Sequence, residues 1–194
     1  MKVGYREKFW HKNCVAIGLS SGFVEPLEAT ALLLVEATAK LLADKLPAFK
    51  DKMSYAERSF NQISQYGWDR VIDFIKLHYL LSNRIDTQFW RDNQDPKTVP
   101  ESLSEKLEHW KNNLPTESDF FSQYEVFQLE NYQYVLYGME FNTDINSIAQ
   151  RFNDNKAAMN TVKNIQDQIK IVPKHLESHR TLIDKIKAFG LNKI

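Results

Sequence analysis

The chain has 194 residues, of which 43% are hydrophobic and 26% charged, an ordinary globular profile with length enough for a real core. Its 25 basic and 25 acidic residues cancel, which excludes the basic excess that nucleic acid or an anionic membrane surface demands. A single cysteine, Cys14, excludes an internal disulfide and fits a reducing, cytoplasmic setting; the longest apolar run, Leu32 to Val35, is cut by Glu36 and Lys40 before it could span a bilayer, and the N-terminus has no apolar signal-peptide core.

In chain order, Cys14 to Leu19 is a short apolar, partly β-branched run ending at Ser20-Ser21-Gly22, the pattern of one buried strand and a tight turn. Pro26 stands where a helix could start, and Leu27, Ala31, Leu34, Val35, Thr38, Leu41 and Leu42 follow at helical spacing up to Pro47. After Lys50 only helices are predicted. Ser54 and Glu57 form a capping box for a long helix whose face runs through Ala56, Phe60, Ile63, Gly67, Val71, Phe74, His78 and Leu81. A second box, Thr98 to Glu101, opens a helix with Leu103, Leu107, Trp110 and Leu114 on one stripe. Leu129, Tyr132 and Leu136 mark a third, closed by Gly138. The last helix starts near Asp154, kinks at Pro173 and turns Met159, Val162, Ile169, Val172, Leu176, Ile183 and Ile186 inward. The fold class expected is mainly α, with one strand–turn–helix unit over 1–50 and a helical domain over 51–194. A lone strand cannot satisfy its own edges, so the chain reads as the end of something longer.

The 12 Phe, 8 Tyr and 4 Trp suit either a well-filled helical core or a pocket for a flat ligand. The segment Phe9 to Thr30 carries the most chemistry. A small-residue turn followed by a helix start presents backbone N–H groups with no intrahelical partner, and such a terminus attracts anions. Gly22 permits close approach of a flat ligand, and Glu25 and Glu28 flank Pro26. An ordinary strand–turn–helix connection with two dipole-satisfying glutamates accounts for the same residues.

The string from Asn13 to Thr30, NCVAIGLSSGFVEPLEAT, resembles the C-terminal signature of flavin-dependent tryptophan halogenases. Weaker similarity continues through His78-Tyr79, Phe89-Trp90-Arg91 and Asn131 to Met139. The resemblance implies that 1–50 is the remnant of an FAD-binding α/β domain and 51–194 the helical, substrate-side domain. It implies a chemistry in which reduced FAD and O2 convert chloride or bromide to hypohalous acid, which travels to a separate pocket and halogenates an electron-rich arene, tryptophan or indole-like. It assigns the catalytic carboxylate to Glu28, where negative charge also stabilises a cationic ring intermediate. It assigns the wall beside the flavin to Gly22, Phe23, Val24, Glu25 and Pro26, the halide to Thr30 and Ala31, and the substrate to Ala29, Phe127 and Asn131. A flavin reductase is the implied partner, and a homodimer stays open.

Departures from the family pattern are specific. Ala29 replaces a common serine, Ala31 a common glycine, and Val126-Phe127 stands where tryptophan-processing members carry Phe-Trp. The six glycines, at 4, 18, 22, 67, 138 and 190, form no GxGxxG cradle, and the family's catalytic lysine is assigned to no residue. On this reading the chain by itself is inactive. Two other readings stand beside it: a non-catalytic helical interaction or dimerisation module, and the C-terminal domain of a related flavin monooxygenase. His175 and His179 stand four apart, as a metal chelate requires, but the glutamate is displaced from the HExxH pattern and the pair is read as a solvated helix face. Cys14 is expected to be a small buried strand residue, and no metal site is expected.

Overall fold

A computed structural model describes residues 3–147 and 155–191. Their contacts group them into two compact units, Met1–Ile145 and Asn146–Ile194. The mainly α expectation holds: seven helices and two small strand pairs make up the regular structure of the described residues, apart from short 3-10 turns.

In the first unit, β1 (Gly4–Tyr5) pairs antiparallel with β4 (Gly22–Phe23), and β2 (Trp10–His11) with β3 (Cys14–Val15). The expected single strand over Cys14 to Leu19 is therefore shorter than predicted and has its partner within the chain. Beyond Val15 the backbone turns, and Gly18–Ser20 is a 3-10 turn. The outer edge of the hairpin is closed by a side chain. Asn61 Oδ1 accepts from the amides of Phe9 and Trp10, each at 2.8 Å, and its Nδ2 donates to the Trp10 carbonyl at 2.8 Å. One carboxamide thus does for this edge what a neighbouring strand would do. Cys14 is exposed, contrary to expectation: it pairs with the likewise exposed His11, whereas the buried Trp10 pairs with Val15.

The helices are α1 (Ala31–Lys45), α2 (Met53–Leu80), α3 (Gln88–Gln94), α4 (Glu101–Trp110) and α5 (Leu129–Gly138). The central rod is α2, which touches α1, α3, α4, α5 and β2. Ala56, Phe60, Val71 and Phe74, all predicted on its inner face, are buried. Its burial extends to Trp68, Ile75 and Leu77, since a helix enclosed on several sides needs more than one apolar stripe. Leu103, Leu107 and Trp110 of α4 and Tyr132 and Leu136 of α5 complete one cluster. At about 25 cal/mol per Å2 of buried apolar surface, such aromatic-rich contacts dominate the stability.

Two predicted caps are not used. Helix α2 begins at Met53, so Ser54 lies inside it. Helix α4 begins after Pro100, because the Thr98 hydroxyl is committed elsewhere, accepting from Lys76 Nζ at 2.8 Å and donating to the Asp95 carbonyl at 2.7 Å. Leu114 falls beyond the end of α4. The predicted helix closed by Gly138 matches α5.

The second unit contains α6 (Asn155–His175) and α7 (His179–Phe189); the predicted start near Asp154 lies outside the described residues. Pro173 lies in the last turn of α6, and the chain breaks over Leu176–Ser178 before a new helix capped by Ser178, whose hydroxyl accepts from Thr181 N at 3.1 Å. Met159, Val162, Ile169, Val172 and Leu176 were expected inward but are exposed. Periodicity identifies an apolar face and says nothing of what covers it.

Candidate functional site

The site is built on the link between β4 and α1. After Gly22 and Phe23 the chain runs through Val24 and Glu25 into a 3-10 turn at Pro26–Glu28, closed by the Ala29 amide on the Pro26 carbonyl at 3.1 Å. Ala29 then takes a left-handed backbone, φ +51°, and Thr30 precedes the first residue of α1. The predicted helix start at Pro26 is thus one turn early. The left-handed step at Ala29 separates the turn from the helix, because that conformation cannot continue a right-handed ladder. The first helical bond runs from Leu34 N to Thr30 O at 2.9 Å, which leaves the amides before it without intrahelical partners. The helix start therefore lies at Thr30 and Ala31 instead of at Pro26.

A cavity of about 200 Å3 opens here. Gly22, Phe23, Val24, Glu25, Pro26, Thr30 and Ala31 all line it, together with Trp68 of α2. Every residue expected to face flavin or halide therefore meets one hollow. Its walls are mostly apolar, and its size suits a ring edge and a small ion rather than a whole dinucleotide. Space explains Gly22: a Cβ there would lie 2.7 Å from Tyr5 Cβ and 2.9 Å from the Trp68 ring.

Glu28 is not among the residues lining that cavity. Its Oε1 lies 2.8 Å from Nε2 of His78, near the C-terminal end of α2, and both side chains are largely buried. The His78 ring stands edge-on to Phe74, centroids 4.9 Å apart at 90°, and Phe74 stacks on Phe127 at 3.9 Å. The turn therefore lines the hollow on one side, while its carboxylate meets the His78 ring outside it. Tyr79, the next residue, is tied to Glu25: burial first, then the hydrogen bond and charge of that carboxylate, push its phenol above the usual tyrosine range.

The remaining predicted residues lie further out. Ala29 is exposed beside Glu28. Asn131 is exposed in the first turn of α5, where its Oδ1 accepts from Gln128 N at 2.9 Å and caps the helix. Val126 lines a second hollow of about 240 Å3 on the other side of Trp68 and Leu34. His175 and His179 end up on different helices, and Nδ1 of His175 meets the Ile171 carbonyl at 3.0 Å. Among the described residues no group of three or more His, Cys, Asp or Glu side chains is arranged to hold a metal, and no helix is long and apolar enough to cross a membrane.

The profile of the tryptophan halogenase family matches residues 1–155. The chain belongs to that family. Tryptophan 6-halogenase SttH of Streptomyces toxytricini is 38% identical over 138 residues, covering 71% of this chain and 26% of that protein. The 7-chloro-L-tryptophan 6-halogenase KtzR of Kutzneria sp. (strain 744) is 29% identical over 191 residues, covering 98% of this chain and 37% of that protein. The crystal structure of a tryptophan halogenase from Shewanella frigidimarina superposes with a TM-score of 0.81 at 39% identity, over 99% of this chain and 36% of that one. The chain thus spans about a third of the length of these halogenases. Sequence reasoning for the halogenase site missed His78 as the partner of Glu28. The available signal was a polar, ring-bearing residue on an otherwise apolar helix face.

Proposed function

We propose that this chain supplies the carboxylate, the halide cradle and part of the substrate wall of a flavin-dependent halogenase acting on an electron-rich aromatic, tryptophan or indole-like. The observation that carries the reading is the turn from Gly22 to Ala31, which gathers seven expected residues around one hollow while Glu28 lies outside it against His78, whose ring packs edge-on to Phe74.

In this reading Gly22 to Pro26 form the wall beside the flavin. The missing side chain at Gly22, where a Cβ would meet Tyr5 and Trp68, keeps the backbone of that wall in place. The amides of Thr30 and Ala31 hold chloride or bromide by the partial positive charge of a helix start. Glu28 orients the oxidant and offers negative charge to a cationic ring, an interaction stronger in the transition state than before it. Ala29, Phe127 and Asn131 face the arene, with Phe127 giving a flat surface for stacking. When bound, FAD reduced by a flavin reductase would supply the two electrons with which O2 becomes the oxidant of the halide. The cradle for its phosphates is not among these 194 residues, so the chain alone is inactive. Residues 1–50 act as the flavin side, 51–194 as the substrate side, in the cytoplasm.

The test is Glu28→Gln in the flavin-loaded enzyme. Halogenation falls by roughly 100-fold or more, while flavin binding is unchanged. Full turnover with bromide in that variant would reject the role of Glu28.

A further inference from the structure

We infer that His78 is the positioning residue for Glu28: it fixes the carboxyl group in one orientation and holds a hydrogen between ring and carboxyl. The inference deepens the halogenase reading and rests on it for its functional half.

Nδ1 of His78 lies 2.8 Å from the Phe74 carbonyl, an acceptor only, so it carries a hydrogen and donates. In a neutral imidazole that leaves Nε2 as a lone pair. Nε2 in turn lies 2.8 Å from Glu28 Oε1, and a carboxylate is also an acceptor only. Two lone pairs do not approach to that distance without a hydrogen between them.

The ring is held rigidly enough to act as a fixed post. It stands edge-on to Phe74 at 4.9 Å, and its helix is anchored by the fully buried Leu77 immediately before it. Glu28 has no such support of its own. It ends a three-residue 3-10 turn that leads into a left-handed residue. The carboxylate is thus steadied by His78 through Oε1. Tyr79, the next residue of α2, lies near the Glu25 carboxylate at the opposite end of the same turn, so two successive residues of α2 stand beside the two glutamates that flank Pro26 and Leu27. Supporting contacts of this kind hold a reacting group within the tolerance that catalysis needs.

Two measurements test the inference. In the 15N-histidine-labelled 194-residue chain, His78 shows two hydrogen-bonded ring protons by NMR. Glu28→Gln removes the one on Nε2, because the carboxamide then donates to that nitrogen, and keeps the one on Nδ1. An unchanged spectrum overturns the contact. In the flavin-loaded enzyme, His78→Phe keeps a ring against Phe74 but loses the donor, and kcat falls on the order of 100-fold with KM little changed. His78→Gln, which places an amide donor near the Nε2 position, recovers about a tenfold part of that loss; this and the NMR signal decide the matter should His78→Phe fail to fold. Wild-type kcat in His78→Phe, with Glu28→Gln inactive, overturns positioning and leaves the role of Glu28 intact. Full turnover in Glu28→Gln removes the proposed function, while the Nε2 signal still reports whether the two side chains are bonded.

Discussion

Gly22→Ala isolates the close approach on which the hollow depends. The backbone φ at Gly22 is not in the left-handed region, so the glycine is required for space and not for conformation. The added methyl would sit 2.7 Å from Tyr5 Cβ and 2.9 Å from two atoms of the Trp68 ring. Neither neighbour can yield. Tyr5 faces Gly22 across the β1–β4 pair, donates its hydroxyl to Asp69, and stacks at 5.8 Å on Trp68. Trp68 is itself buried. Overpacking of this kind costs about 1–3 kcal/mol, here at the upper end because a Cβ atom is involved. The lower entropy of an unfolded alanine returns about 0.4–1 kcal/mol. The net loss is about 2 kcal/mol, which lowers Tm by roughly 4–8 °C in a chain of this size. Urea unfolding followed by tryptophan fluorescence measures it cleanly, since Trp10, Trp68, Trp90 and Trp110 all belong to the first unit. Gly67→Ala is the matched control: nothing lies within 4 Å of its added Cβ, and alanine in a helix interior gains up to about 1 kcal/mol. Gly22→Ala as stable as the parent chain would refute the spatial argument.

Ala29→Gly relieves the left-handed backbone at φ +51° and stabilises the folded chain by about 1 kcal/mol in the same unfolding assay. Asp73→Ala removes the partner of Arg70 (2.9 Å) and of the Ser102 hydroxyl (2.7 Å) in a buried site, and costs about 3–5 kcal/mol because a charge is left uncompensated. The phenols of Tyr5 and Tyr66 are pushed up to about 12 from 10.0, by burial first and then by hydrogen bonds to Asp69 and Glu125. A raised folded-state pKa contributes stability present below pH 10.0 and lost as pH rises toward about 12. The urea midpoint therefore falls across that window, and Tyr66→Phe flattens the fall.

Much of the helical architecture was legible because burial leaves a periodic trace. Phe60, Val71, Phe74, Leu103, Leu107, Trp110 and Leu136 are where their spacing put them. The strands were not legible: each is two residues long, and the edge of Trp10 is satisfied by Asn61 from a distant part of the chain, which no local pattern announces. The helix start was misread by a turn because the left-handed step at Ala29 is a backbone choice that an alanine does not advertise. The hollow lined by Gly22 to Pro26, Thr30 and Ala31 coincided with the residues read from the motif, since contiguous residues stay together however the turn is drawn. The bond between Glu28 and His78 was invisible, as it depends on how α2 packs. The apolar stripe of α6 was visible as a stripe, and its exposure was not.

A consequence follows from the way α2 serves three tasks along its length. Asn61 buttons down the hairpin, Trp68 walls the hollow and His78 meets Glu28, all from one rod whose rise spaces the first from the last by roughly 25 Å. Phase along that rod is therefore a shared gauge: an extra residue between Trp68 and His78 would swing the imidazole by about 100° away from its glutamate while the hairpin stayed fastened. Insertions tolerable in a surface loop would here disengage chemistry from scaffold.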